Sequence, residues 1–133
     1  MKTNNIFLKT SLLSIAIAIT LGAFGAHALK NIFTDYETDI WNKAIFYQII
    51  NSLGIIIILL LYKNELIKEP KLITYLLLVG ILCFSGSLYI IALTNVFIDP
   101  HHWIKTMMIP ITPIGGSLLI FGWFIAAIKV KRS

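Results

Sequence analysis

A chain of 133 residues has room for one domain, and its 58% hydrophobic against 13% charged residues exclude an ordinary soluble protein and indicate a small integral membrane protein. The formal charge of +5 does not indicate nucleic-acid binding, because the basic residues form short clusters beside apolar runs and no long basic face. The single cysteine, Cys83, excludes an intramolecular disulfide, a CxxC redox pair and a metal site of several thiolates.

The first predicted membrane span covers residues 10–29, where an apolar run follows two lysines. Small residues recur in it at spacings of three and four: Ser11, Ser14, Ala18, Gly22 and Gly25. That spacing places them on one helix face, which favours close packing against another helix. A secretory signal peptide begins in the same way, and cleavage after Ala28 would leave three spans. The run of about 18 apolar residues exceeds the roughly 7–15 of a signal core and favours retention.

The stretch from 31 to 43 is predicted to be a loop outside the membrane. It carries three acidic residues, which the interior of a bilayer would not accommodate: Asp35, Glu37 and Asp39. Trp41, near the end of this stretch, has the position of an interfacial aromatic residue. The second span is therefore predicted to begin after the loop and to cover residues 44–62.

Two amides, Gln48 and Asn51, stand in the first half of the second span, three residues apart and hence on one helix face. We interpret them as inward-facing groups that hydrogen-bond to neighbouring helices and fix the helix register. Hydrogen bonds of this kind are common and modest in membrane proteins, which favours this interpretation. A polar path through the bundle is the alternative.

The third span is predicted over residues 72–97, after a short charged turn in which Pro70 discourages a continuous helix. A small, polar patch interrupts this apolar run near its middle: Ser85, Gly86, Ser87 and Tyr89. Lipid offers these side chains no hydrogen-bond partner, so the patch predicts the close approach of another helix, with Gly86 at the contact. Tyr89 is expected to hydrogen-bond across the bundle.

The last span, residues 104–130, is predicted to be kinked or made of two parts, with Pro110 and Pro113 at the break. Thr112 followed by Pro113 has the form of a helix N-cap and a first-turn proline. A helix that started there would be about 26 Å long, near the lower limit for a span, which is why an earlier first part is expected. Four small residues follow as close-approach positions: Gly115, Gly116, Gly122 and Ala126.

The basic residues predict the orientation in the membrane. Most of the 11 lie at the two ends of the chain and in the second connection: Lys2, Lys9, Lys63, Lys68, Lys71, Lys129, Lys131 and Arg132. The remainder lie in or beside the other two connections: Lys30, Lys43 and Lys105. Because cytoplasmic segments carry the excess of Lys and Arg, we expect a multi-pass plasma-membrane protein with both termini in the cytoplasm.

Four groups of residues carry a family resemblance: Gly22 to His27 with Leu29; Trp41, Ala44, Tyr47 and Gln48; Phe84 to Tyr89 with Ala92 to Thr94; and Ile111 to Gly116 with Gly122 and Trp123. In these the chain resembles the YgdD family of small bacterial inner-membrane proteins, also known as domain of unknown function 423, which includes the animal transmembrane protein 256 group. The chain departs from the family pattern at Asn51, usually His, and at Asn95, usually Gly. The resemblance implies a four-span protein with the first segment retained and with no assigned biochemical activity.

Few residues of this sequence are candidates for a catalytic role. His27 lies near the end of an apolar span, where a titratable group is a functional candidate, but its neighbour Lys30 places it at the outer interface, where a solvated histidine costs little. His101 and His102 are adjacent in a connection and are expected to be solvated. No charged residue lies in the interior of a predicted span, away from its ends, which argues against a proton-coupled antiporter. A haem site would require two histidines that meet across the bundle.

These observations predict an all-α membrane protein of one domain, residues 1–133, with four transmembrane helices in a compact bundle. We expect no catalytic residue, cofactor or metal, and a non-enzymatic structural or accessory role in the lipid bilayer, in contact with a second copy or another membrane protein. The alternative is a small-solute or lipid transporter with a polar path through His27, Gln48, Asn51 and Tyr89. A membrane enzyme or electron carrier would require a bound chromophore or quinone.

Overall fold

The computed structural model describes residues 2–99 and 101–131, so Arg132 of the predicted basic cluster lies outside the described residues. The described chain forms four α-helices: α1 (Lys2–Ala26), α2 (Asp35–Lys63), α3 (Lys71–Phe97) and α4 (Trp103–Lys129). Each helix is long and apolar enough to cross a membrane, since its length exceeds the roughly 20 residues that the hydrocarbon layer requires. The predicted all-α membrane fold with four helices is confirmed.

The start of α2 differs from the prediction. Residues 35–43, expected in a loop, form the first turns of this helix, because Thr34 caps it and acidic side chains suit the N-terminal end of a helix. The Glu37 carboxylate accepts a hydrogen bond from the Thr34 backbone N–H at 3.2 Å and another from the Thr34 hydroxyl. Lys43 pairs with Asp39 one turn away at 2.6 Å. The charges therefore stand on a helix that extends beyond the apolar run.

Helix α4 is one helix and is not divided into two parts at its prolines. The chain remains helical through Pro110 and Pro113, so Thr112 is an interior residue of the helix and not its N-cap. The N-cap is His102, whose Nδ1 accepts a hydrogen bond from a first-turn backbone N–H at 3.3 Å. The Thr112 hydroxyl donates to the backbone carbonyl one turn earlier at 3.2 Å. Membrane helices tolerate proline because other groups can bond the carbonyl four residues earlier that it leaves unpaired, and the carbonyl that Thr112 bonds is not one of these.

Buried apolar side chains form two clusters at different depths. The first cluster lies toward the α2–α3 turn and contains Phe7, Ile55, Ile58, Ile67, Ile73, Leu77, Ile81, Leu119 and Ala126. The second lies toward the opposite end and contains Leu29, Ile40, Trp41, Ala44, Leu88, Ile91 and Ala92. Helices α2 and α3 contribute most of the buried residues, and α1 and α4 flank them. Between the clusters, at the middle of the helices, the buried side chains are mainly polar.

The turn between α2 and α3 is attached to the end of α4. Ile67 in this turn is buried and pairs with Val130 in an isolated antiparallel bridge. The Lys131 backbone N–H donates to the Leu66 carbonyl at 2.9 Å. Asn4 of α1 lines a hollow together with residues of the same turn. The start of α1, the α2–α3 turn and the end of α4 therefore lie together at one end of the bundle.

Candidate functional site

A network of four polar side chains joins α1, α2 and α3 between the two apolar clusters. The Tyr89 hydroxyl donates to Gln48 Oε1 at 2.9 Å. The Gln48 amide nitrogen donates to the Ser14 carbonyl at 2.9 Å, and the Ser52 hydroxyl donates to Ser14 Oγ at 2.9 Å. Polar groups that bond one another in this way avoid the cost of facing lipid without a partner. Gln48 is the centre of this network, because it is bonded to both neighbouring helices.

Asn51 belongs to a separate contact, with α4. Its side-chain oxygen accepts a hydrogen bond from the Trp123 indole N–H at 2.8 Å, and its amide nitrogen donates to the Tyr47 carbonyl at 2.8 Å. A step of three residues leaves two side chains about 60° apart around a helix, which is enough to direct Gln48 and Asn51 to different partner helices. The two predicted amides thus serve two separate contacts and do not form one polar line.

A pair of hydroxyl groups joins α3 to α4. Ser87 Oγ and Thr112 Oγ1 lie 2.7 Å apart, and Ser87 Oγ also donates to the Phe84 carbonyl at 2.9 Å. Both residues were predicted polar positions, and the structure brings them together. Pro113, the next residue of α4, is exposed, and its carbonyl accepts a hydrogen bond from Ser117 at 2.9 Å.

At two of the predicted glycines a side chain would meet an aromatic ring or the backbone of the neighbouring helix. At Gly25 a Cβ atom would lie 2.7 Å from Nε1 of Trp41, whose indole N–H donates to a backbone carbonyl of α1 at 3.0 Å. At Gly115 a Cβ atom would overlap the backbone of Cys83 and Phe84 on α3. These two glycines therefore allow close contact between α1 and α2 and between α3 and α4.

Other glycines are less constrained or were not predicted. A Cβ atom would make an ordinary contact at Gly22, 3.8 Å from Ile45, and at Gly116, 3.5 Å from Phe84. Gly54 was not a predicted position, yet a Cβ atom there would overlap the Trp123 ring. The sequence signal that could have identified it is a glycine one turn after Asn51 in an apolar run.

The close helix approach predicted at Gly86 is not made within the described chain, because a Cβ atom there would have no neighbour within 4 Å. Gly86 instead lines a crevice of about 490 Å³, the α1–α3 crevice. Its apolar walls are formed by Leu13, Ile17 and Leu21 of α1 and by Leu78, Ile81 and Leu82 of α3. Ser85 and Tyr89 of α3 and Gln48 of α2 also line it. The patch that predicted a helix contact therefore borders open space on this side.

His27 is separate from the predicted polar path. It lies in the turn that follows α1, with its side chain exposed and its backbone N–H bonded to the Ala23 carbonyl at 3.1 Å. Among the described residues, no hydrogen bond joins the His27 side chain to Gln48, Asn51 or Tyr89. The four residues predicted to form one path are thus divided among three places.

A buried carboxylate escaped the sequence analysis. Glu37 is 6% exposed and bonds Thr34, and it also accepts a hydrogen bond from the Asn95 amide nitrogen at 2.8 Å. This bond links the first turn of α2 to the last turns of α3. Thr34 and Glu37 have the spacing of a capping box, and this signature could have revealed the position of Glu37. Asn95, noted in the sequence only as a departure from the family pattern, is its partner.

The chemistry available in the middle of the bundle is that of amides, hydroxyl groups and one phenol. Among the described residues no group of three or more His, Cys, Asp and Glu side chains could hold a metal ion. These polar groups can bind one another or a neutral ligand by hydrogen bonds.

Comparison with known proteins places the chain in a family. The family described as a protein of unknown function, DUF423, matches residues 21–116, which contain α2, α3 and the first half of α4. The chain belongs to the DUF423 family. This confirms the resemblance found in the sequence. The DUF423 match includes Gln48, Asn51 and Tyr89 but neither Ser14 nor Trp123, their partners on α1 and α4.

Relatives of this DUF423 chain are named as membrane proteins. A UPF0382 membrane protein of Staphylococcus epidermidis is 39% identical over 127 residues, which cover 96% of each chain. One of Staphylococcus haemolyticus is 37% identical over the same shares of both chains. The UPF0382 membrane protein YwdK of Bacillus subtilis is 31% identical over 93% of this chain and 97% of its own. No solved structure matches the chain. This DUF423 chain is therefore an integral membrane protein of an uncharacterised family.

Proposed function

We propose that this protein is a non-enzymatic accessory component of the plasma membrane, which acts by contact with another membrane protein or with a second copy. The proposal rests on one observation: the buried polar groups form their hydrogen bonds with other groups inside the bundle. Gln48 forms hydrogen bonds with α1 and α3, and Asn51 forms one with α4. Ser87 forms a hydrogen bond with Thr112 of α4. Their hydrogen bonds hold the four helices in one register, as expected of a structural unit.

The same contacts weigh against the alternative of a small-solute transporter. A polar path requires groups that are free to exchange hydrogen bonds with a passing solute. Gln48 and Tyr89 bond each other at 2.9 Å, and Asn51 is bonded to Trp123 at 2.8 Å. His27, the fourth residue of the path, is exposed beyond the end of α1. Solute passage would require these contacts to break together.

The orientation is part of the proposal, with both termini in the cytoplasm. The end of the bundle that contains the α2–α3 turn and the end of α4 carries a group of lysines: Lys63, Lys68, Lys71, Lys129 and Lys131. The excess of basic residues favours the cytoplasmic side for this end. A phosphatase reporter inserted at Asn31 should be active, whereas the same reporter fused after Ser133 should be inactive. The opposite pair of activities would reject this orientation.

Native mass spectrometry of the protein released gently from its membrane tests the accessory role. We expect the full-length chain to carry a second protein or a second copy. The control is an unrelated four-span protein of the same host, released in the same detergent, which should not carry that partner. A monomer without partners, together with solute uptake by vesicles that contain the purified protein, would reject the proposal and favour a transporter.

A further inference from the structure

The α1–α3 crevice has the size and lining of a binding site for a small apolar ligand. Its volume of about 490 Å³ lies within the roughly 300–1,000 Å³ of small-molecule sites. The side chains that line it include no charged residue. Leu13 and Leu82, on its two walls, are 64% and 73% exposed, so the crevice is bordered by side chains on the outer surface of the bundle. In a membrane that surface is in contact with lipid.

One hydroxyl group that lines this crevice makes no hydrogen bond with the residues that the structure describes. Ser85 is 1% exposed, and its Oγ has no hydrogen-bond partner among the described residues. The other polar residues around it are engaged, since Tyr89 donates to Gln48 and Gln48 donates to Ser14. A buried hydroxyl without a partner is costly, and a ligand with an acceptor oxygen would remove that cost.

The neighbouring residue leaves the space open. A Cβ atom at Gly86 would meet nothing within 4 Å, although the two residues that follow it in sequence are packed inside the bundle. Ser87 and Leu88 are 2% and 8% exposed. The glycine therefore adds to the volume of the crevice at the level of Ser85, half-way along α3. This depth is remote from phospholipid headgroups, which lie at the two surfaces of a bilayer.

We propose that the α1–α3 crevice binds a neutral membrane lipid, whose hydrocarbon chain lies between Leu13, Ile17 and Leu82 and whose carbonyl oxygen accepts a hydrogen bond from the Ser85 hydroxyl. The absence of charge in the lining and the mid-membrane depth of Ser85 favour a neutral lipid over a charged phospholipid. This inference goes beyond the accessory role and does not depend on it.

The probe is a diacylglycerol that carries a photoactivatable diazirine on one acyl chain, added to vesicles that contain the full-length protein. We expect saturable labelling of one lipid per chain, located by peptide mass spectrometry in the segments 13–21 of α1 and 78–86 of α3. Unlabelled diacylglycerol should compete for the site. A phosphatidylglycerol with the same diazirine chain should label these segments at least tenfold less.

Gly86→Leu tests the volume of the crevice. Because the position has open space, the variant should fold and melt as the wild type does, while its side chain fills the site and reduces labelling at least tenfold. Ala127→Leu is the matched control, since Ala127 is exposed on α4 and the same enlargement there should leave the labelling unchanged.

Ser85→Ala tests the hydrogen bond and keeps the proposal falsifiable if Gly86→Leu does not fold. The wild-type hydroxyl has no partner in the described part of the chain, so its removal should leave the melting temperature unchanged and weaken labelling about two- to tenfold, as expected for one ordinary hydrogen bond. Ser87→Ala, which removes a bond to Thr112 outside the crevice, should leave labelling unchanged.

Four results would overturn the proposal. Equal labelling of every outer helix face would show only the lipid that surrounds any membrane protein. Undiminished labelling of both Gly86→Leu and Ser85→Ala would place the lipid elsewhere. A crosslink from the crevice of one chain to another protein chain, with little lipid labelling, would show that a helix occupies it. Equal labelling by phosphatidylglycerol would reject the neutral lipid.

Discussion

The two sides of α3 differ in how their small residues are used. On the side that meets α4, a Cβ atom at Gly115 would overlap the backbone of Cys83 and Phe84, and the Ser87 and Thr112 hydroxyls lie 2.7 Å apart. This α3–α4 interface has no room for another atom at its closest point, and its polar groups are paired.

On the side that meets α1, the small residues border the α1–α3 crevice. Gly86 has no neighbour within 4 Å in the direction of a side chain, and Ser85 has no hydrogen-bond partner among the described residues. Residues of the same kind, close together on one helix, therefore have opposite surroundings. A glycine in a membrane helix allows a close approach but does not require one, because what fills the space depends on the helix opposite.

Of the variants considered, Gly115→Leu is expected to lower the unfolding free energy most. The new side chain would meet the backbone of α3, which cannot rotate away as a side chain can, so the variant should lose about 3 kcal/mol of unfolding free energy or fail to assemble. Gly86→Leu is the matched control, with a change of less than about 0.5 kcal/mol expected for a side chain in open space. Unfolding in mixed micelles of increasing SDS fraction measures both.

The contrast between the two sides of α3 would be wrong if Gly115→Leu and Gly86→Leu lowered the unfolding free energy by the same amount. Equal losses would mean that the α1–α3 crevice is closed by a helix contact in the folded protein, and that the side of α3 that faces α1 is packed as tightly as the α3–α4 interface.

The second-largest loss of unfolding free energy is expected when the polar network beside the crevice is broken. Gln48→Leu removes the group that bonds Ser14 and Tyr89, so the unfolding free energy should fall by about 1–2 kcal/mol, at the upper end of measured bonds between membrane helices. Thr20→Ala is the control, because the Thr20 hydroxyl bonds only within its own helix and is exposed. The same SDS titration measures both variants. A loss no larger for Gln48→Leu than for Thr20→Ala would show that the network does not hold α1 in place.

The helices and the inward polar positions could be predicted because their signals are local. An apolar run of sufficient length predicts a span, and amides or hydroxyls within it predict inward contacts, as at Gln48, Asn51 and Ser87. The start of α2 was missed because acidic residues were interpreted as a loop, although the helix extends past the apolar run and the pair of Thr34 and Glu37 carried a capping signal.

The partners of the polar residues could not be predicted, because they depend on which helices meet. Asn51 bonds Trp123, 72 residues away in sequence, and Gln48 bonds Tyr89, 41 residues away. The different surroundings of Gly86 and Gly115 are equally non-local, since both glycines lie in apolar runs and only the helix opposite distinguishes them. Sequence spacing fixes the face of a helix, but the neighbour of that face is a property of the whole fold.

The smallest expected effect separates two serines that are two residues apart. Ser87→Ala should lower the unfolding free energy by about 0.6 kcal/mol, the average for a hydrogen bond between membrane helices, because it removes the bond to Thr112. Ser85→Ala should leave it unchanged or raise it slightly, because the removed hydroxyl was buried without a partner in residues 2–99 and 101–131. Replicate SDS titrations in micelles free of added lipid can resolve this difference. A loss for Ser85→Ala as large as for Ser87→Ala would mean that Ser85 bonds another group of the protein, and the argument for a ligand at Ser85 would lose its polar contact.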